Sequence, residues 1–318
     1  MAHGAFVSLM DVRADRIEEE EAPHAPMMRR AAIASVSVAV ALVALKAFAY
    51  LLTNSVSMLA SLADSALDLF SSTLNLFAIR SALTPADAEH RFGHGKAEPL
   101  AGLAQGAFIA GSATFLIVQA INRFIAPQAI QHGTTGLLVM AISIAATAGL
   151  VLYQSHVVAR VGSIAISADR THYTSDLVTN IGVVVAIVLT NWGGWPLADP
   201  IIALIIAGIL TWSAWSVFLQ SYNQLMDREL PDADREKIKS IVLHNPHVKS
   251  LHDLRTRAAG LHTFIQCHIE LDPKISLVRA HEVSDEVERS LCAAYPNCEV
   301  IIHQDPAGVE MPPPLARS

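Results

Sequence analysis

The chain has 318 residues, 52% of them hydrophobic and only 16% charged, below the roughly 25% charged of ordinary soluble domains, which points to a membrane part. The formal net charge is −7, with no basic stripe to neutralise phosphates, and this excludes nucleic acid as a partner. The three cysteines, Cys267, Cys292 and Cys298, form no C-x-x-C pair, so the spacing indicates neither a disulfide framework nor a thiolate zinc site.

Residues 1–28 are polar, carry the acidic run Glu18–Glu21 and lack the apolar core of a secretory signal; they read as a disordered cytosolic extension. Long apolar runs then follow one another from Ala31 to about Tyr222. A helix needs about 20 apolar residues to cross a bilayer. Six segments qualify, at about 31–52, 56–79, 100–124, 134–158, 167–189 and 198–222. The second and fifth contain ionisable residues and are the weakest. Arg29 and Arg30 precede the first span, Arg80, Arg91 and Lys96 follow the second, and Arg160 follows the fourth, whereas Thr53–Ser55 and Asn191–Leu197 carry no Lys or Arg. By the positive-inside rule both termini face the cytosol. The transmembrane domain thus covers residues 29–226.

Residues 227–306 have the charge content of a soluble domain. Pro231–Asp232 starts a helix with an apolar face of Ile238, Ile241 and Val242. Val248–Arg257 and Leu261–Leu271 alternate with period two around Ala259–Gly260, as a hairpin does. A second helix carries Val283, Val287 and Leu291, and a last strand spans Glu299–His303. Residues 307–318, with Pro312–Pro314, read as a disordered tail. The expected fold class is an α-helical membrane protein with six transmembrane helices and a small cytosolic α+β domain in the order αββαβ.

The chemistry concentrates in the two weak spans. Asp64 and Asp68 lie four apart on the second, His172 and Asp176 four apart on the fifth, so each pair projects from one helix face. A carboxylate inside a span costs on the order of 3 kcal/mol on insertion scales. Three carboxylates and an imidazole must therefore face each other, water or an ion. Three or four O/N ligands suit a tetrahedral Zn²⁺ site. Two other readings use the same residues: charge pairing with Lys46 or Arg170 without metal, and a proton relay. A neutral imidazole binds metal and a protonated one does not, so proton and metal compete for the site.

The loop after the second span places Asp87, His90 and His94 within a short stretch with Gly93 and Gly95, where glycines permit tight turns; it reads equally as a metal site or as a solvated loop. Half of the fourteen histidines fall in the last 92 residues. Period-two logic puts His252 on a strand face with Leu254, His303 with Asp305, and His268 opposite Ile265 and Ile269, while His281 begins the second helix. Together His252, His268, His281, His303 and Asp305 favour a multinuclear metal site. His244, His247 and His262 read as surface residues.

The Asp64/Asp68 and His172/Asp176 pairs, the run of ten residues from His90 to Pro99, and the segments His252–Arg257 and Ile301–Asp305 resemble the cation diffusion facilitator family, most closely its bacterial zinc and ferrous-iron exporters. The likeness extends from about Ala31 to Pro306. It implies a homodimer of six-helix protomers in the bacterial inner membrane, with ferredoxin-like cytosolic domains, exporting a divalent metal in exchange for protons by alternating access. It further implies a transport site of Asp64, Asp68, His172 and Asp176, a loop site of Asp87, His90 and His94, and a cytosolic binuclear site drawing on His252, His268, His281, His303 and Asp305. Lys96 and Asp227 match an inter-subunit charge interlock. Zn²⁺, or Fe²⁺ or Cd²⁺, is then the substrate and also a structural and regulatory ligand of the cytosolic domain; no other cofactor is implied. The partners are metal ions, protons and membrane lipid. Arg170 and Thr171 depart from the family pattern, since apolar residues seal the path at those positions in its bacterial members. A membrane metal sensor that binds the same ions without moving them is the alternative reading. A metalloenzyme is disfavoured because no H-E-x-x-H or nucleophile motif is present.

Overall fold

The computed structural model describes residues 24–53, 56–125, 134–191, 195, 197–295 and 297–308. The expected extension up to residue 23 and the tail from residue 309 lie outside them. Among the described residues the first six elements are long helices: α1 (Ala25–Thr53), α2 (Val56–Ala82), α3 (Ala97–Ile125), α4 (Thr134–Val161), α5 (Ile164–Asn191) and α6 (Ala198–Leu225). Residues 25–28, expected in the extension, already belong to α1. Each helix runs 27 to 29 residues, about 40 Å at 1.5 Å per residue and more than the roughly 30 Å hydrocarbon core requires. The surplus turns lie outside the apolar runs, which is why every helix runs past its expected C-terminal end and α1, α3 and α5 also start before the expected N-terminal end.

Among the described residues, four helices are long and apolar enough to cross a membrane by length and composition: α1, α3, α4 and α6. In α2 and α5 the apolar runs are interrupted by Asp64 and Asp68 and by Asp169, Arg170, His172 and Asp176. Packing compensates for that polarity. α1 lies along α2 and α4, α4 along α5, and α3 against α2 and α5, so both polar helices are flanked by apolar ones. A second seam joins α3 to α6 through Ile109, Ala113, Ile206, Leu210 and Ala214. The tight passage from α4 to α5 depends on Gly162, whose φ of 70° is the left-handed helix end that glycine adopts without strain; its N–H donates to the Val158 carbonyl at 2.9 Å.

The described residues from Gln224 to 308 form a separate compact unit: α7 (Asp232–Leu243), β1 (Ser250–Ala259), β2 (His262–Leu271), α8 (Leu277–Ala294) and β3 (Cys298–Pro306), in the expected αββαβ order. The sheet order is β1-β2-β3, with β1 and β2 antiparallel and β2 and β3 parallel across α8. Ala307 belongs to this unit rather than to a tail, since its N–H donates to the Leu271 carbonyl at 2.8 Å. Ile238 and Val242 of α7, Ile265 and Ile269 of β2, and Val283, Val287 and Leu291 of α8 form the core. Full burial of each such side chain contributes about 1.5–3 kcal/mol. Both helices cover one face of the sheet, and the other face is left to the histidines.

One expectation about that face is corrected. The β1–β2 register slips by one residue between His252 and Arg255, where Asp253 takes φ 44°. This is a bulge. It turns Leu254 toward the core while His252 stays on the outer face opposite His268, so the two do not share a face.

Candidate metal centres

Among the described residues, three groups of side chains converge closely enough to hold an ion. The first joins α2 to α5. His172 Nε2 lies 3.3 Å from Asp68 Oδ1 and 3.7 Å from Asp176 Oδ2, and one ligand atom from each residue falls within 4.8 Å of the others. The i, i+4 spacing stacks His172 over Asp176 on α5, and α2 brings Asp68 across to them. His172 is 5% exposed. Among the described residues no hydrogen bond reaches the buried Asp176 Oδ2, and His172 Nε2 stands 3.7 Å from it. Asp64 stands one turn away on the exposed side of α2, outside the three-residue group. Lys46 of α1 reaches the same turn, donating to Ser65 Oγ at 2.7 Å and the Ser61 carbonyl at 3.3 Å. Arg170 and Thr171 line a cavity of about 350 Å³ with Ser155 of α4 and Ser213 of α6.

The second group lies in the loop between α2 and α3. Asp87 Oδ1 is 3.3 Å from His90 Nδ1, Asp87 Oδ2 is 3.4 Å from His94 Nε2, and the two imidazoles lie 4.5 Å apart. The turn is built by its backbone. Asp87 accepts from the N–H groups of Glu89 at 2.9 Å and His90 at 2.6 Å, and Gly93, at φ 75°, returns its N–H to the His90 carbonyl at 2.9 Å. The His90 N–H chiefly, with that of Glu89, holds the Asp87 carboxyl below the usual range. His94 Nδ1 sits 3.2 Å from the Pro85 carbonyl. With the proton on Nδ1, Nε2 presents a lone pair toward Asp87, the orientation that ligating histidines commonly have.

The third group occupies the outer face of the sheet. Strand register sets His252 beside His268 and His268 beside His303, with ring centroids 5.1 and 4.6 Å apart. Asp305, 3% exposed, closes the row: His268 Nδ1 lies 2.9 Å, His252 Nε2 3.2 Å and His303 Nε2 3.2 Å from its oxygens. The three ligand atoms that cluster most closely come from His252, His268 and Asp305. His281 is placed elsewhere, on the exposed side of α8 with Asp285 at 3.7 Å and its side chain 70% accessible. Asp227 is engaged by Arg257 Nη1 at 3.3 Å.

The known proteins that this chain is similar to match it along its length. A family model of the cation efflux transmembrane domain matches residues 32–226, and one of the cation efflux protein cytoplasmic domain matches residues 230–307. The chain belongs to the cation diffusion facilitator family. The cation-efflux pump FieF of Shewanella oneidensis is 45% identical over 283 residues, which cover 89% of this chain and 95% of that protein. FieF of Klebsiella pneumoniae is 44% identical over 283 residues, covering 89% and 94%. The metal-bound C-terminal domain of the CzcD transporter from Thermotoga maritima is 27% identical and covers 25% of this chain and 98% of its own, with a TM-score of 0.24. A cytosolic domain of a cation diffusion facilitator family protein is 29% identical, covering 24% and 93%, with a TM-score of 0.23. As a member of this family the chain is a cation-efflux membrane transporter and not an enzyme.

In this cation diffusion facilitator a buried network also surrounds Asp169, one turn before His172, which the sequence reading missed. Asp169 accepts from Ser35 Oγ at 2.6 Å, Gln154 Nε2 at 2.6 Å and Gln105 Nε2 at 3.2 Å. Ser71 donates to Gln105 Oε1 at 2.7 Å, and the Tyr173 hydroxyl pairs with Ser72 at 2.7 Å. One carboxylate thus joins α1, α3, α4 and α5. Glu98, buried at the start of α3, receives the Ser163 hydroxyl just before α5. Only the polarity of α5 hinted at the first, and the position of Glu98 beside the loop motif at the second.

Proposed function

We propose that this transporter exports Zn²⁺ from the cytosol in exchange for protons, at a site made by Asp68, His172 and Asp176 with Asp64 from the neighbouring turn. The observation that carries the reading is the Asp176 oxygen, buried and without a donor among two further ligand residues. A buried acceptor left unpaired costs about 1–3 kcal/mol, and a cation there removes the deficit. One imidazole nitrogen with carboxylate oxygens suits Zn²⁺ first, then Fe²⁺ and Cd²⁺. Protonation of His172 withdraws its lone pair, so a proton arriving from the far side weakens the site and releases the ion. Alternating access supplies the order: loading from the cytosol, rocking of helices, then exchange for protons.

The cytosolic row fits a resident regulatory ion. Asp305 is a carboxylate enclosed by three imidazoles, a donor set that Zn²⁺ accepts, and His281 joins it only if a second copy of the chain presents it. We place the protein as a homodimer in a bacterial inner membrane with both termini in the cytosol, in agreement with the Arg and Lys distribution. Lys96 and Asp227 take the positions of the family's inter-subunit charge interlock, and Asp87, His90 and His94 hold a further ion in the loop.

The test is Zn²⁺ flux in proteoliposomes of the full chain under an imposed pH gradient. Gradient-driven flux that Asp68→Ala abolishes is the expected result. Tight Zn²⁺ binding without flux in either direction overturns the reading in favour of a membrane metal sensor.

A further inference from the structure

Cys292 and Cys298 stand six residues apart, a spacing that reads as unremarkable in the sequence. The fold brings them together. Cys292 lies in the last turn of α8 and Cys298 is the first residue of β3, and their sulfurs are 2.7 Å apart. That is about 0.7 Å longer than an S–S bond of roughly 2.03 Å. The chain reverses between them through Asn297 at φ 58°, a conformation that asparagine tolerates better than most residues. Both ends of the turn are anchored independently. Tyr295 packs on the core and its hydroxyl donates to the Asp234 carbonyl at 3.2 Å, and Thr263 N–H donates to the Asn297 carbonyl at 3.1 Å. The sulfurs are therefore held in proximity by the fold, and both are half-buried rather than enclosed. Cys267 differs: it is fully buried in the core.

We infer that Cys292 and Cys298 are a reversible dithiol–disulfide pair, a modification site in the cytoplasmic domain that takes a low-molecular-weight disulfide such as glutathione disulfide as its oxidant. The exchange balances. One cysteine thiolate attacks glutathione disulfide, forming a mixed disulfide and releasing one glutathione thiolate. The second cysteine thiolate then attacks the protein sulfur of the mixed disulfide, closing the intramolecular bond and expelling the second glutathione. Two protons and two electrons leave the protein, and two glutathione molecules carry them. Burial, then the adjacent Cys292 sulfur, pushes the Cys298 thiol up, and the exchange balances whichever of the two sulfurs makes the opening attack. In a reducing compartment the pair rests as two thiols. Once closed, the bond staples the end of α8 to the start of the strand that carries His303 and Asp305 at its other end.

The experiment uses the full-length, metal-free protein in detergent, equilibrated with glutathione buffers from fully reduced to fully oxidised. After acid quenching, free thiols are alkylated and the intact chain and its peptides are weighed. The expected result, as the buffer becomes oxidised, is a species with one alkyl label in place of three and two hydrogen masses fewer once the labels are subtracted, with Cys292 and Cys298 linked inside one chain and Cys267 alkylated after unfolding. Cys267→Ser keeps that closure. Cys292→Ser and Cys298→Ser each lose it and carry glutathione or alkyl label on the remaining sulfur. Full alkylation of both cysteines in the most oxidised buffer overturns the inference, as does a bond that joins two different chains. Monodispersity of each serine variant in size exclusion separates loss of the bond from loss of the fold.

Discussion

His268 Nδ1 and Asp305 Oδ2 approach to 2.9 Å across neighbouring strands, and the carboxylate is enclosed while the imidazole is not. Among the described residues three imidazoles stand within ion-pair distance of the buried Asp305, and a metal ion would hold all four groups together. Asp305→Ala is expected to weaken Zn²⁺ binding to the full chain by at least about tenfold, by analogy with the 10–100-fold cost of losing even a supporting carboxylate. Competition with a chromophoric chelator measures it, with Asp87→Ala included so that the loop does not mask the change. Unaltered affinity in the double variant would remove the outer face of the sheet as a metal site.

At the membrane site the decisive atom is the imidazole nitrogen. His172→Asp replaces one borderline ligand by a hard oxygen, which favours harder ions. The expected outcome is retained flux with the preference for Zn²⁺ over Mn²⁺ reduced by about tenfold or more, read from competition in proteoliposomes. An unchanged preference would mean that His172 does not contact the transported ion. Asp68→Asn keeps the shape and removes the charge, and flux is expected to vanish.

The network around Asp169 supports that site from behind. Three neutral donors on three helices converge on one carboxylate, so removing one partner strands the others. Asp169→Asn and Gln154→Leu are each expected to lower stability by about 1–3 kcal/mol, measured by thermal unfolding in detergent. Because they share partners, the double variant should cost less than the two single losses together. Simple additivity would show that the Asp169–Gln154 contact at 2.6 Å carries no coupling.

How far the sequence reaches is set by locality. Asp68, His172 and Asp176 were legible because an i, i+4 pair in an apolar run has one geometric meaning on a helix. The loop triad was legible as residues but not as geometry, since the Asp87 turn is closed by backbone N–H groups that any sequence possesses. Asp169 was not legible: its partners Ser35, Gln105 and Gln154 are ordinary neutral residues on separate helices, and only helix packing joins them. The bulge at Asp253 turned Leu254 away from His252 through one inserted residue, a shift that alternation cannot register. Cys292 and Cys298 meet because a helix end and a strand start share a turn, which no thiol spacing motif encodes.

A single carboxylate ties the end of α7 to α8. Asn245 Nδ2 donates to Glu286 Oε2 at 2.9 Å and Arg279 Nη1 to Oε1 at 3.2 Å. The Asn245 amide first, with Arg279 behind it, holds the Glu286 carboxyl below its usual range. A folded-state value below the unfolded one means that the unfolded chain binds the proton more readily. The stabilisation is therefore present above the ordinary carboxylate range and is lost as pH falls through the depressed folded value. Glu286→Gln should reduce hydrogen-exchange protection in the last turn of α7 at neutral pH by a few-fold. The difference from the wild type, corrected for intrinsic exchange, should shrink toward zero as the pH drops below the carboxylate range. Asn245→Ala should show the same convergence, since it removes the other half of the contact. A gap that stays constant at every pH would assign the effect to side-chain shape and not to the charge on Glu286.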